Sequence, residues 1–185
     1  MKKYQIIYAD PPWMETGGGK IKRGADRHYS LMRTKDIISL PVKNITDTNA
    51  HLYLWTTNKF LPDALQVVSA WGFKYKTMIT WVKDRIGLGQ YFRGMTEHCL
   101  FAVRGNIPYR IVENKRQQGR TVITAQRTIH SKKPEELRNM ILKVSGDLPR
   151  IELFAREKVA GWDVWGNEVK SDIDIFKYGE NKYET

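Results

Sequence analysis

Cysteine is almost missing from this chain. Cys99 stands alone, which excludes an internal disulfide framework and any metal site built from several cysteines. No apolar run approaches the roughly 20 residues that cross a bilayer. The short apolar stretch after Met1-Lys2-Lys3 ends at Asp10, so it lacks the form of a secretory signal. No internal repeat and no low-complexity linker interrupts the 185 residues, a usual length for one domain. Acidic residues are in deficit: 20 Asp and Glu stand against 31 Lys and Arg, a formal net charge of +11. Such an excess attracts polyanions. The expectation is a cytoplasmic protein whose partner is nucleic acid, with a membrane surface the weaker fit because no amphipathic anchor is evident.

The remaining pattern is that of an α/β domain. Tyr-Gln-Ile-Ile-Tyr-Ala at residues 4–9 is β-branched and aromatic, a buried strand, and two prolines end it after Asp10. Thr34 is placed to cap a short helix over residues 35–40. Residues 51–55 read as a second strand. Pro62 suits the first turn of a helix that Gly72 stops, with Leu65, Val68 and Trp71 at helical spacing. Strands are expected at 75–82, 99–103 and 151–154, with a short one near 122–124. A helix opens at Pro134 and stops at Gly146. Residues 106–127 carry no clear period. Residues 162–169 suit a short strand or turn, and 173–178 suit an edge strand. Alternating strands and helices give a largely parallel sheet flanked by helices. Ligands then bind beyond the carboxyl ends of the strands, after Ala9, Trp55, Trp81 and Phe154.

Asp10-Pro11-Pro12-Trp13 follows the first strand directly. The exocyclic N6 amine of adenine is a poor nucleophile, because its lone pair is delocalised into the ring. Activating it requires acceptors for its two N–H groups. Asp10 supplies one, and the carbonyl of Pro11, a residue with no N–H of its own, supplies the other. The paired prolines hold the turn rigid. Trp13 offers an aromatic face to the base.

The chain resembles the MT-A70 family of adenine N6-methyltransferases in ordered blocks up to about Val169. These are Ala9-Asp10-Pro11-Pro12-Trp13, His28-Tyr29-Ser30-Leu31-Met32, Leu52-Tyr53-Leu54-Trp55-Thr56, Ile79-Thr80-Trp81-Val82-Lys83 and Glu97-His98-Cys99-Leu100. They continue with His130-Ser131-Lys132-Lys133-Pro134-Glu135-Glu136, Ile151-Glu152-Leu153-Phe154-Ala155-Arg156 and Gly161-Trp162-Asp163-Val164-Trp165-Gly166-Asn167-Glu168. The resemblance implies a Rossmann-like class I methyltransferase fold with permuted motif order, the catalytic motif early and much of the S-adenosylmethionine site late. It implies a catalytic domain over 1–169 and a tail over 170–185.

In that frame Asp10, Pro11, Pro12 and Trp13 are the expected catalytic set. Asp10, Lys133, Glu152, Phe154, Arg156, Asn167 and Glu168 are the expected cofactor contacts. Lys133 suits the methionine carboxylate, Phe154 the cofactor's adenine, Arg156 the ribose hydroxyls, and Asn167 and Glu168 the diol or an adenine edge. Tyr29, Trp55, Trp81, Lys83 and Glu97 are the expected substrate contacts, with His98 structural and Cys99 buried and inert. The tryptophans are equally suited to the core. Gly17-Gly18-Gly19 departs from the glycine-rich first loop of many methyltransferases, and suits a loop that closes over substrate. No metal is expected, since His130 has no ligand neighbours. Lys20, Lys22, Arg23 and Arg27, and Lys115, Arg116, Arg120 and Arg127, are candidate phosphate contacts. DNA is the preferred polymer and RNA the alternative. A homodimer, a partner subunit and a non-catalytic binding module remain compatible with the sequence.

Overall fold

The computed structural model describes residues 2–14, 31–87, 89, 91–127 and 132–178. Nine strands and four helices alternate along them. They are β1 (Tyr4–Ala9), α1 (Thr34–Ile38), α2 (Val42–Ile45), β2 (Thr46–Thr56), α3 (Leu61–Ala70), β3 (Lys74–Val82), β4 (Thr96–Arg104), β5 (Ile111–Val112), β6 (Lys115–Arg116), β7 (Val122–Thr124), α4 (Glu135–Ser145), β8 (Arg150–Leu153) and β9 (Asp163–Trp165).

Seven strands form one sheet in the order β7-β3-β4-β2-β1-β8-β9. All neighbours pair parallel except at β4, which runs against both β2 and β3. The sheet is therefore largely parallel, with one reversed strand. Its inner strand β1 is buried on both sides, as in a Rossmann-like sheet covered by helices on both faces. Ile7 and Ala9 face one cluster with Ile37, Val42, Ile45, Val67 and Trp71 of the α1–α3 layer. Ile6 and Tyr8 face the other, with Leu137 and Ile141 of α4. Strand alternation thus divides the apolar residues between two helical layers.

The chain leaves β1 for β2 on one side, and β8 lies on the other. This is a topological switch point, and the crevice beyond it opens between Ala9 and Leu153, which are paired in the ladder. Helix α4 runs back along the sheet. It starts beside Lys133, which is bonded to Asp10 beyond the carboxyl end of β1. It ends just before Pro149, whose carbonyl takes the N–H of Gln5 at the other end of β1.

Several boundaries differ from the sequence expectation. Thr34 is the first helical residue of α1, not its cap. Its hydroxyl instead donates to Asp63 Oδ1 at 2.6 Å, joining α1 to α3. Helix α2 and the β5–β6 hairpin were not legible as elements. Residues 173–178 do not add an edge strand: they hold a 3-10 turn, Ile175–Lys177, whose Ile175 is fully buried in the core. Gly72 and Gly146 do end their helices, with φ of +81° and +90°, values that favour glycine.

His51 on β2 is buried, its Nδ1 lying 2.8 Å from Ser145 Oγ, which also meets the Tyr53 hydroxyl at 2.8 Å. Burial lowers the His51 pKa to about 4. The folded value is below the unfolded one, so protons favour the unfolded chain between the two. Stability therefore falls as pH drops from about 6.5 to about 4, by on the order of 3 kcal/mol from this residue. Urea unfolding at pH 7 and pH 4.5 should show a smaller loss in His51→Gln than in the natural chain. Equal losses would contradict the assignment.

Candidate active site

The carboxyl edge of the sheet gathers the chemistry. Asp10 leaves β1 with its N–H toward the Leu153 carbonyl at 3.5 Å. Pro11 is buried, and its carbonyl accepts the Trp13 N–H at 2.9 Å. A carbonyl oxygen has two lone pairs, so this turn leaves it able to accept a second N–H. The Pro12 carbonyl accepts from Met32 N–H at 2.8 Å, and Trp13 and Met32 form an isolated bridge. The motif is thus tied on both sides by backbone bonds.

Trp13 departs from its expected role. Its ring is only 5% exposed, lies nearly parallel to Phe60 at 5.6 Å and donates Nε1–H to the Trp55 carbonyl at 3.0 Å. It braces the turn from within the core and offers no open face to a base. Trp55 and Trp81 are buried too. Trp55 donates to the Tyr8 hydroxyl at 2.7 Å, and Trp81 to the Ala125 carbonyl at 2.8 Å. Both still border the site, since the Lys133 ammonium lies 5.5 Å from the Trp55 ring and the Lys83 ammonium 5.1 Å from the Trp81 ring.

Above them lies a connected set of charges that sequence spacing could not show. Lys133 reaches Asp10 Oδ2 at 2.9 Å and Glu97 Oε2 at 3.2 Å, and Lys83 pairs with Glu97 Oε1. Reversal of β4 makes this possible by placing Glu97 opposite Trp81. The Lys133 side chain is 12% exposed and that of Glu97 14%. Burial alone would push the Lys133 ammonium down, but the Asp10 and Glu97 carboxylates outweigh it and hold its pKa above the usual lysine range. Burial would raise the Glu97 carboxyl, and Lys133 and Lys83 outweigh it, holding it below the usual range. A depressed carboxyl and a raised ammonium keep Glu97 and Lys133 charged across neutral pH. His98, expected to be structural, bridges Thr80 Oγ1 at 3.0 Å and Asn58 Oδ1 at 2.8 Å. Cys99 is fully buried, as expected.

The late residues occupy the neighbouring strand ends. Phe154 exits β8 with φ of +62°, an unusual conformation for a bulky residue that marks strain held by its surroundings. Its ring meets Trp165 edge to face at 5.6 Å, and the Ala155 N–H bonds the Trp165 carbonyl at 3.1 Å. Just beyond β9, Asn167 and Glu168 are exposed, and Arg156 Nε lies 3.7 Å from Glu168 Oε1. Glu152 departs from the expected cofactor set. It is buried, and its Oε2 takes the Arg138 guanidinium of α4 at 2.6 Å. Burial pushes its carboxyl up against the pull of Arg138. Glu152 therefore joins β8 to α4 beneath the site.

Tyr29, His130 and the basic residues at 20, 22, 23 and 27 lie outside the described residues. Among the described residues no three His, Cys, Asp or Glu side chains are grouped to hold a metal, and no helix is long and apolar enough to cross a membrane.

The donor set fits S-adenosylmethionine. A zwitterion needs an anion and a cation side by side, which Asp10 and Lys133 supply. A nucleoside needs an apolar ring surface and polar groups for its hydroxyls, and Phe154, Arg156, Asn167 and Glu168, at and just beyond the adjacent ends of β8 and β9, are of those types.

The MT-A70 family model matches residues 4–168. The chain is 34% identical to the type II methyltransferase M.MunI of a Mycoplasma species, over 97% of this chain and 84% of that protein. It is 31% identical to a putative N(6)-adenosine-methyltransferase MT-A70-like protein of Medicago truncatula, over 90% of this chain and 26% of the relative. It is 28% identical to the human N(6)-adenosine-methyltransferase catalytic subunit METTL3, over 98% and 31%. It thus spans most of the first relative and about a third or less of the two plant and human proteins. The chain belongs to the MT-A70 family of adenine N6-methyltransferases.

Proposed function

We propose that this chain transfers a methyl group from S-adenosylmethionine to the N6 amine of adenine in DNA. The observation that carries the proposal is the placement of Asp10-Pro11-Pro12-Trp13 in the crevice of the switch point, with Lys133 2.9 Å from Asp10. Bound there, S-adenosylmethionine supplies a methyl group activated by its sulfonium. Lys133 holds the methionine carboxylate. Lys133 engages one oxygen of Asp10, and the carboxylate has a second for the substrate amine. Asp10 and the Pro11 carbonyl accept the two N–H groups of N6, so that electron density collects on nitrogen. S-adenosylmethionine held there would supply the methyl group, the N6–C bond forming as the C–S bond breaks with S-adenosylhomocysteine as the leaving group, and N6 would pass a proton to water. No strong base is needed, because newly methylated N6 is acidic until that proton leaves. Glu97 fixes Lys83 and Lys133 and takes no proton.

A nucleic-acid polymer agrees with the loop between β3 and β4. Tyr91 and Phe92 there are 93% and 92% exposed, and Arg85 and Arg93 flank them. The Arg127 N–H bonds Asp84 Oδ1 at 2.9 Å, bringing a third arginine to the same loop. Exposed rings and cations at the mouth suit stacking on bases and pairing with phosphates. DNA is preferred because the match to the type II methyltransferase M.MunI covers 97% of this chain and 84% of that protein. RNA is the second possibility, favoured by the similarity to N(6)-adenosine-methyltransferases. The test is transfer from labelled S-adenosylmethionine to matched single-stranded DNA, duplex DNA and RNA, with products digested and resolved by mass spectrometry. Label in 6-methyladenine from DNA supports the proposal. Label from RNA alone moves the assignment to RNA, and none with any polymer overturns it.

Phe154 offers a separate check on the cofactor end. Glycine at its left-handed position relieves about 1–2 kcal/mol of backbone strain, which offsets much of the lost ring packing. Phe154→Gly should keep nearly the natural urea midpoint yet raise the KM for S-adenosylmethionine about tenfold, equivalent to about 1.4 kcal/mol of aromatic contact. An unchanged KM would remove Phe154 from the cofactor site.

A further inference from the structure

The β5–β6 hairpin is a feature the active site does not use. Residues 104–120 carry five basic side chains, Arg104, Arg110, Lys115, Arg116 and Arg120, against one acidic, Glu113. The hairpin turns through Glu113 and Asn114, with φ of +50° and +59°, the pattern of a tight two-residue turn that matches strand twist. Ile111 pairs with Arg116 and Val112 with Lys115. The hairpin is anchored to α4. Arg110 Nη1 donates to the Leu142 and Lys143 carbonyls at 2.9 and 3.3 Å, which satisfies carbonyls of the last helical turn. The Arg120 N–H points at Met140 Sδ, 3.1 Å away.

This rigid hairpin leaves an unusual surface open. Tyr109 is 71% and Ile111 65% exposed. The Arg116 guanidinium lies 3.8 Å from the centre of the Tyr109 ring. Lys115, Arg116 and Arg120 are all exposed. The surface also lies at the wrong end of the sheet for catalysis. Arg104 ends β4 beside Ala50, with Val103 opposite Lys74 at the start of β3. The hairpin is thus at the amino edge, near the C-terminus of α4, while Asp10 lies near its N-terminus. From Glu135 at its start to the anchoring carbonyl of Leu142 the helix rises about 10 Å.

We infer that the β5–β6 hairpin is a second nucleic-acid contact, holding the sugar–phosphate backbone that flanks the target adenine. The inference rests on the proposed function for its polymer, but not on the chemistry at Asp10. Charge complementarity selects the occupant: a net excess of four cations on an exposed aromatic ribbon suits a polyanion. Lys115, Arg116 and Arg120 pair with phosphates. Tyr109, held flat by Arg116, packs on sugar or base. Such contacts position a strand without reading its sequence.

The reach gives the test. A duplex of about four base pairs, closed at one end by a tight loop and centred on the target, extends about 7 Å each way, whereas one of about thirty extends about 50 Å. Only the longer one passes well over the hairpin. Lys115→Gln with Arg116→Gln should raise the KM for the long duplex about tenfold and leave that for the short duplex, and kcat on both, unchanged. Measured by fluorescence anisotropy on the long duplex, the slope of log affinity against log salt should flatten by about 1.8, the release from two phosphate contacts. Lys115→Arg with Arg116→Lys should keep natural binding. An unchanged slope, or equal losses on both duplexes, overturns the inference and leaves the active-site assignment standing. Absence of transfer by the natural chain with a flattened slope in the double variant does the reverse.

Discussion

Asp10→Ala should lower kcat for methyl transfer by about a hundredfold to a thousandfold, with the chain still folded and still able to bind S-adenosylmethionine. The size follows from placement. A preorganised acceptor aimed at a group whose charge changes in the transition state contributes about 10²–10³ in rate. Asp10 stands at the exit of β1, where backbone bonds from Trp13, Met32 and its own N–H hold the turn in place. No solvent has to reorganise for it to act. The fold should tolerate the change because the Asp10 side chain is partly exposed and Lys133 keeps Glu97 as a second carboxylate. Asp10→Asn should lose nearly as much, because an amide offers one acceptor and turns an N–H₂ toward an amine that needs acceptors. Calorimetry with S-adenosylmethionine alongside the mass-spectrometric assay separates the steps. Natural turnover by Asp10→Ala would sink the mechanism, whatever polymer is methylated.

The position of that motif was legible because local physics determines it. An aromatic and β-branched run ending in two prolines has to be a strand that stops, and parallel sheets bind ligands at that edge. The glycine stops at Gly72 and Gly146 and the short strand β7 were legible for the same local reason. What escaped is set by pairing over long sequence separations. Reversal of β4 brings Glu97 opposite Trp81 and so links positions 10, 83, 97 and 133 into one ion network. No local period encodes that. Trp13 looked like a stacking platform because the sequence does not show Phe60 packed flat against it. Thr34 looked like a cap because its partner, Asp63, is on another helix. The β5–β6 hairpin escaped because two-residue strands have no period to read, and its positive-φ pair is Glu113-Asn114 in place of the usual Asn-Gly.

Glu152 is where these two lessons meet, and it carries the largest stability prediction. Its sequence block pointed to the cofactor, but its side chain is 10% exposed and is paired with Arg138, itself 9% exposed, at 2.6 Å. Arg138→Met would leave a buried carboxylate without its cation. Removing one partner of such a pair typically costs about 3–5 kcal/mol, whereas replacing both by neutral groups of similar volume costs little. Arg138 Nε is also a buried donor without an acceptor among the described residues, so the natural pair already carries an unmet hydrogen bond. Arg138→Met should therefore lower stability by about 3–5 kcal/mol in urea, and Glu152→Gln combined with Arg138→Met should recover most of it. The recovered double variant then separates packing from binding. If Glu152 only joins β8 to α4, the double variant regains the natural KM for S-adenosylmethionine together with its stability. A KM that stays raised in a fully stable double variant would return Glu152 to the cofactor site. The expected result is recovery of both, because the Glu152 carboxylate is buried and fixed by the Arg138 guanidinium of α4.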